Sequence, residues 1–192
     1  MLLGDSHAEH LFAGVAKSWP EKNVAFYLLD LGEGARESRD NSILGELLAS
    51  PETSLVVISF HFVAWKDLGA EKMSRLAKRA QFIVGQLKKS GKAVVLVGDI
   101  PRFELDASHC LYKSAQNKHH HKCSIPLEVA RDQKNSYIKI TEKIKLKNEL
   151  LYIDIFDLMC DANSCSMIRG DKILYRDNNH LNVYGSLYVG GM

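Results

Sequence analysis

Five short runs rich in Val, Ile, Leu and aromatic residues recur along the chain, at residues 1–4, 23–29, 55–59, 93–97 and 150–155. Each is brief and almost continuously apolar, as a strand covered on both faces must be. Between them, residues 8–18, 42–49, 66–90, 127–147 and 180–189 repeat their apolar positions at helical spacing. In the longest, Met73, Leu76, Ala80, Ile83, Val84 and Leu87 fall on one face and Gly91 supplies the stop. Parallel neighbours need crossover connections, and helical crossovers cover both faces of a sheet. The alternation therefore predicts an α/β fold: a three-layer α/β/α, flavodoxin-like, doubly wound parallel sheet of about five strands. In such sheets functional groups gather at the carboxyl ends of the strands.

The 192 residues, 46% of them hydrophobic and with a formal net charge of +2, suit one domain spanning 1–192 with a sizeable core. That charge leaves no footprint for a polyanion. Lys88, Lys89, Lys92, Lys143, Lys145 and Lys147 read as solvated helix faces, and no nucleic-acid partner is expected. No apolar run reaches the roughly 18 residues of a membrane span, and the first residues lack the layout of a signal peptide. The first strand is short for a central one, so the chain reads as cut from a longer protein.

Four cysteines fall into two local pairs. Cys160 and Cys165 bracket the turn-rich D-A-N-S, and Cys110 and Cys123 bracket a polar loop. The pattern predicts disulfides Cys110–Cys123 and Cys160–Cys165, hence an oxidising compartment. The alternative is zinc, held by His119, His120 and His121 beside Cys123, although no C-x-x-C pair supports it. The stretch 99–126, with Pro near both ends, is long for a structureless connection.

The first strand runs into L-L-G-D-S-H-A-E-H-L-F, which places Ser6 between an acid and a histidine at the mouth of a helix. Ser and Asp are ordinary helix caps there. A catalytic serine needs a base to take its proton and a third group to orient that base. The second half of such a set stands in L-Y-R-D-N-N-H-L-N-V-Y-G-S, where Asp177 and His180 are three residues apart, on one side of a helical turn or tight loop. Asp177 or Asn178 could equally cap the helix that follows. The order Ser, Asp, His is that of α/β hydrolases, but position 8 is Ala, so there is no G-x-S-x-G elbow.

G-D-S-H on the first strand with D-x-x-H-L and Y-G-S near the far end resembles the SGNH (GDSL-like) hydrolase superfamily. L-L-G-D-S-H-A-E-H-L, S-L-V-V-I-S-F-H-F-V-A-W, a C-x4-C turn and G-D-K-I-L-Y-R-D-N-N-H-L-N-V-Y-G-S are more specifically similar to the SGNH domain at the C-terminus of acyltransferase-3 membrane proteins. The likeness runs over residues 2–186. It implies an enzyme with Ser6 as nucleophile, His180 as general base and Asp177 as its orienter. It also implies acetyl transfer to hydroxyls of a bacterial surface polysaccharide, such as lipopolysaccharide O-antigen, at the periplasmic face of the inner membrane. The partner would be a membrane acyltransferase-3 domain, fused or separate, passing on acyl groups ultimately from acetyl-CoA, with no cofactor or metal in this domain. A free-standing carbohydrate or lipid esterase and a non-catalytic glycan-binding domain are the alternatives.

The segment after the third strand has no G-x-N-D, so the Asn that donates to the developing oxyanion in most of the superfamily is missing. Backbone N–H groups of Ser6 and of Gly34 or Gly32 are the expected donors, and either glycine could instead be a plain turn residue. His61 and Trp65 follow the third strand and are candidates for a substrate groove, against loop and core-packing roles. His7, turned away from Ser6 by helical spacing, reads as structural.

Overall fold

The computed structural model describes residues 1–31, 35–110 and 123–191. The chain opens with β1 (Leu2–Gly4), a short α1 (Ser6–Glu9) and α2 (Phe12–Ser18), then β2 (Phe26–Leu28), α3 (Ala35–Ala49) and β3 (Leu55–Ser59). After α4 (Phe62–Trp65) come the long α5 (Ala70–Lys89) and β4 (Ala93–Val97). The second half holds β5 (Ser124–Pro126), α6 (Leu127–Asn148), β6 (Leu151–Ile153), β7 (Ser164–Ser166), β8 (Ile168–Arg169), β9 (Lys172–Ile173) and α7 (Val183–Gly190).

Five strands form one parallel sheet in the order β2-β1-β3-β4-β6, flanked by helices. This is the doubly wound arrangement the alternation predicts. Its order reverses at β1, so the crevice for a site opens between the carboxyl ends of β1 and β3. The two strands meet closely there. Gly4 pairs with Ser59 at φ +151°, and a Cβ on it would lie 1.8 Å from the Ser59 carbonyl oxygen. Leu2 and Leu3 are fully buried, each worth about 1.5–3 kcal/mol of transfer free energy. The inward face of α5 is the expected one, with Ala80, Ile83, Val84 and Leu87 in the core and Met73 and Leu76 packed on its margin.

The departures from the sequence pattern have local causes. The first helix breaks into α1 and α2 because the Leu11 N–H reaches back only to the Ala8 carbonyl, tightening the turn that buries His10. Helix α3 starts earlier than its apolar period, through the polar A-R-E-S-R-D-N. Residues 66–90 are not one helix, since Gly69 at φ +79° separates a 3-10 turn (Lys66–Leu68) from α5. The antiparallel pairs β5–β7 and β8–β9 are too short to show a period in sequence. Lys92 is not solvated: it is buried, and its ammonium donates to the carbonyls of Ser50 and Thr53. Both expected disulfides are present, Cys110–Cys123 and Cys160–Cys165. Cys123 is thus no zinc thiolate here, and His119, His120 and His121 lie outside the described residues. Among the described residues no helix is long and apolar enough to cross a membrane.

The last helix returns to the first. Helix α7 lies on α2, where the Gly14 N–H donates to Ser186 Oγ at 2.9 Å and Ser18 Oγ donates to the Gly190 carbonyl at 2.6 Å. A Cβ on Gly14 would sit 2.0 Å from the Ser186 carbonyl oxygen, whereas one on Gly45, inside α3, meets nothing within 4 Å. Alanine is favoured over glycine by about 1 kcal/mol in a helix interior, so the two sites should respond in opposite directions. Gly45→Ala should raise the melting temperature by a few degrees, and Gly14→Ala should lower it despite the same propensity gain. Paired calorimetric scans check this, and equal shifts would contradict the close approach.

Candidate active site

The cap of α1 is Asp5, whose Oδ1 accepts the His7 N–H at 2.8 Å, which leaves Ser6 as the first helical residue with its hydroxyl directed elsewhere. That hydroxyl lies 2.7 Å from His180 Nε2. The other ring nitrogen, Nδ1, faces Asp177 at 2.8 Å to Oδ2 and 3.0 Å to Oδ1. Three side chains predicted from opposite ends of the chain are therefore in one hydrogen-bonded line.

His180 precedes α7 rather than belonging to it. The cap of α7 is Asn182, whose Oδ1 accepts the Gly185 N–H at 2.9 Å, so neither Asp177 nor Asn178 fills that role. Residues 176–180 form a tight loop closed by the Arg176 N–H on the His180 carbonyl at 2.8 Å. Within it the Asp177 carboxylate accepts the N–H groups of Asn179 and His180 at 3.0 and 2.8 Å, fixing its orientation before it meets the ring. The loop is anchored by the Phe103 N–H on the Asn178 carbonyl and by the Asn182 amide, which donates to the carbonyls of Ile173 and Tyr175. Partial burial raises the Asp177 carboxyl, but the two N–H groups and the imidazole outweigh it and hold the acid below its ordinary range. It is ionised wherever the imidazole needs a counter-charge.

Behind Ser6 sits a cluster that the sequence did not announce. Asp99, two residues past β4 and fully buried, accepts from His7 Nδ1 at 2.7 Å, from the Val63 N–H at 2.7 Å and from the Ile100 N–H at 2.8 Å. Asp5 reaches the same region, its Oδ2 accepting the His61 N–H at 2.9 Å. The His7 ring stacks on His61 with centroids 3.9 Å apart and planes 10° apart, and stands 4.9 Å from the ring of His180. His10 accepts the Leu181 N–H at 3.4 Å.

Burial governs the charges here. Desolvation pushes Asp5 and Asp99 up to about 6 against the pull of the N–H groups they accept. It holds His7 and His10 well below the usual imidazole range and brings His61 down to about 4, so all three rings are neutral at pH 7. With Asp99 ionised and accepting, His7 carries its proton on Nδ1. Nitrogen and oxygen atoms of His7, His61 and Asp99 lie within 4.8 Å of one another, a spacing some metal sites share. A metal ion lies near the plane of each imidazole that binds it, and two stacked parallel rings cannot both aim at one ion. The geometry is that of a hydrogen-bonded cluster.

His61 and Trp65 line a cavity of about 840 Å³ together with Asp5, Leu31, Leu76 and the basic side chains of α5. Trp65 is also largely core, 5% exposed and packed edge-on against Phe62. In the segment after β3, His61 lines the cavity while its ring stacks on His7. Gly32 and Gly34 lie outside the described residues. The one signal that could have revealed Asp99 is its place, a carboxylate in V-G-D-I at the carboxyl end of a buried strand.

A family model described as SGNH domain (fused to AT3 domains) matches residues 1–192. No curated protein matches the chain by sequence. Among solved structures, the periplasmic domain of a Salmonella ser. Paratyphi A lipopolysaccharide acetyltransferase is similar with a TM-score of 0.69 and 13% identity, over 98% of this chain and 79% of that one. An acetyl xylan esterase, AlAXEase, gives 0.57 and 17% over 100% and 96%. A putative acylhydrolase from Bacteroides fragilis gives 0.55 and 12% over 97% and 81%. At these identities the likeness is one of fold.

The desolvated carboxyls of Asp5 and Asp99 make a prediction about pH. Folded Asp5 and Asp99 keep their protons up to about 6, whereas unfolded carboxyls lose theirs near 3.8. The folded state thus binds more protons between those values, and the contribution of both groups to stability falls as pH rises through that window. Carbon-13 titration of the aspartate carboxyls should place Asp5 and Asp99 near 6 and Asp177 below the ordinary range. Ordinary midpoints for Asp5 and Asp99 would contradict the burial described.

Proposed function

The chain belongs to the SGNH domains that are fused to AT3 domains, and we propose that it passes an acyl group, acetyl or similarly short, through Ser6 to hydroxyls of a bacterial surface polysaccharide such as lipopolysaccharide O-antigen. The observation behind this reading is the line Ser6 Oγ, His180, Asp177, with contacts of 2.7 and 2.8 Å. A binding module has no use for a hydroxyl aimed at an imidazole whose far nitrogen is held by an ionised acid.

In the first half-reaction Ser6 Oγ attacks the carbonyl carbon of the acyl donor while His180 Nε2 takes the hydroxyl proton. Asp177 holds Nδ1–H and stabilises the imidazolium that forms. The tetrahedral oxyanion collapses, the bond to the leaving group breaks, and His180 returns the proton to that group. A sugar hydroxyl then gives its proton to His180 as it attacks the acyl-Ser6 ester, and His180 returns that proton to Ser6 Oγ as the acyl–serine bond breaks, which restores the free serine. Water in place of the sugar gives hydrolysis by the same steps. The Ser6 N–H, with that of Gly34 or Gly32, would serve the oxyanion, and the cavity beside His61 and Trp65 would receive one of the substrates.

A membrane AT3 domain, fused or separate, would supply the acyl group, ultimately from acetyl-CoA, and would set this domain on the periplasmic side. The two disulfides fit that oxidising location. With the Asn donor missing, ester hydrolysis should be slow, which suits an enzyme that must keep its acyl group until a sugar arrives.

Turnover of p-nitrophenyl acetate tests the assignment. Ser6→Ala and His180→Ala should each fall to background, and the double variant should be no worse than either, because the residues act as a unit. Asp177→Asn should lose somewhat less. Hydrolysis by Ser6→Ala at the wild-type rate would overturn the reading.

A further inference from the structure

We infer that His7 is a positioning residue, which through its Nδ1–H bond to Asp99 holds the nucleophile's turn and the ring of His180 in reacting register; this rests on the acyl-transfer reading of Ser6.

His7 is the residue after the nucleophile, and it is tied at both ends. Its backbone N–H is held by Asp5 at 2.8 Å and its Nδ1 by Asp99 at 2.7 Å. The two carboxylates are themselves fixed by N–H groups of another segment, Asp5 by His61 and Asp99 by Val63. His7 thereby joins the ends of β1, β3 and β4 at one side chain. Its ring fills the space between two other rings, parallel to His61 and tilted against His180, 3.9 and 4.9 Å away. An apolar residue could fill that volume equally well. What an apolar residue could not do is give the unexposed Asp99 carboxylate its third donor: without it Asp99 keeps only the N–H groups of Val63 and Ile100, and the side-chain bond that ties the α1 turn to the end of β4 is gone. His7 Nε2 has no partner among the described residues and is itself buried, so the ring is kept for the bond at Nδ1.

Catalysis by a serine and a base depends on near-attack geometry, and a misplacement of about 1 Å can cost on the order of a hundredfold. His7→Leu should therefore lower kcat for p-nitrophenyl acetate by about 10- to 100-fold while KM stays within about twofold. His7→Asn places an amide N–H close to where Nδ1–H stands, and should recover most of the loss. Long-range proton–nitrogen NMR on the wild type should find His7 Nδ1 protonated and Nε2 bare at neutral pH. Reaction of Ser6 with a fluorophosphonate, followed by mass spectrometry, is the control on the underlying reading.

If the wild type is labelled at Ser6 but His7→Leu turns over like wild type, the positioning role is overturned and the acyl-transfer reading survives. Equal losses in the folded Leu and Asn variants would also overturn it, since packing and not the bond would then matter. Should His7→Leu fail to fold, a loss above tenfold in His7→Asn, or a bare Nδ1 in the wild type, overturns it. A wild type that is never labelled at Ser6 removes the acyl-transfer reading and this inference with it.

Discussion

Two carboxylates, the partly buried Asp5 and the fully buried Asp99, take backbone N–H groups from segments that follow different strands of the sheet. Asp5 binds the first turn of α1 to the turn after β3, and Asp99 binds that second turn to the end of β4. Burying such groups is unfavourable, as their raised affinity for protons records. The cost is offset because every oxygen involved accepts a hydrogen bond, and because the turns that result cannot drift. The place of Ser6 depends on these joints, since it is the residue between Asp5 and His7.

The remaining half of the site is built by different means. Asp177 and His180 sit in a loop that shapes itself, with the carboxylate accepting the N–H of its own turn before it orients the ring. What brings that loop to Ser6, 174 positions away in the chain, is the packing of α7 on α2 through glycines and serines too small to keep the helices apart. The doubly wound sheet provides the rest. Its reversal at β1 leaves a crevice there, beside which Ser6 is partly exposed while His7, the next residue, is buried.

Much of this was legible in the sequence. The strands at 55–59 and 93–97 match their apolar runs residue for residue, and the pairing of all four cysteines followed from their local spacing. Ser6, Asp177 and His180 could be nominated because each lies in a motif whose spacing has chemical meaning. Asp99, the bridging role of Asp5 and the burial of Lys92 could not, because each draws its partners from three-dimensional neighbours that leave no period or motif. Helix ends were misplaced for a related reason. Gly69 interrupts a continuous apolar pattern, and A-R-E-S-R-D-N forms helix with no pattern at all.

The central claim is that Ser6 becomes covalently acylated during turnover. Rapid acid quench of the protein with p-nitrophenyl acetate, followed by digestion and peptide mass spectrometry, tests it most directly. The account predicts an acetyl group on the peptide carrying Ser6, accumulating in wild type and absent from His180→Ala. Ester cleavage by the wild type with no acyl group ever found on Ser6, or with the group on another residue, would contradict it.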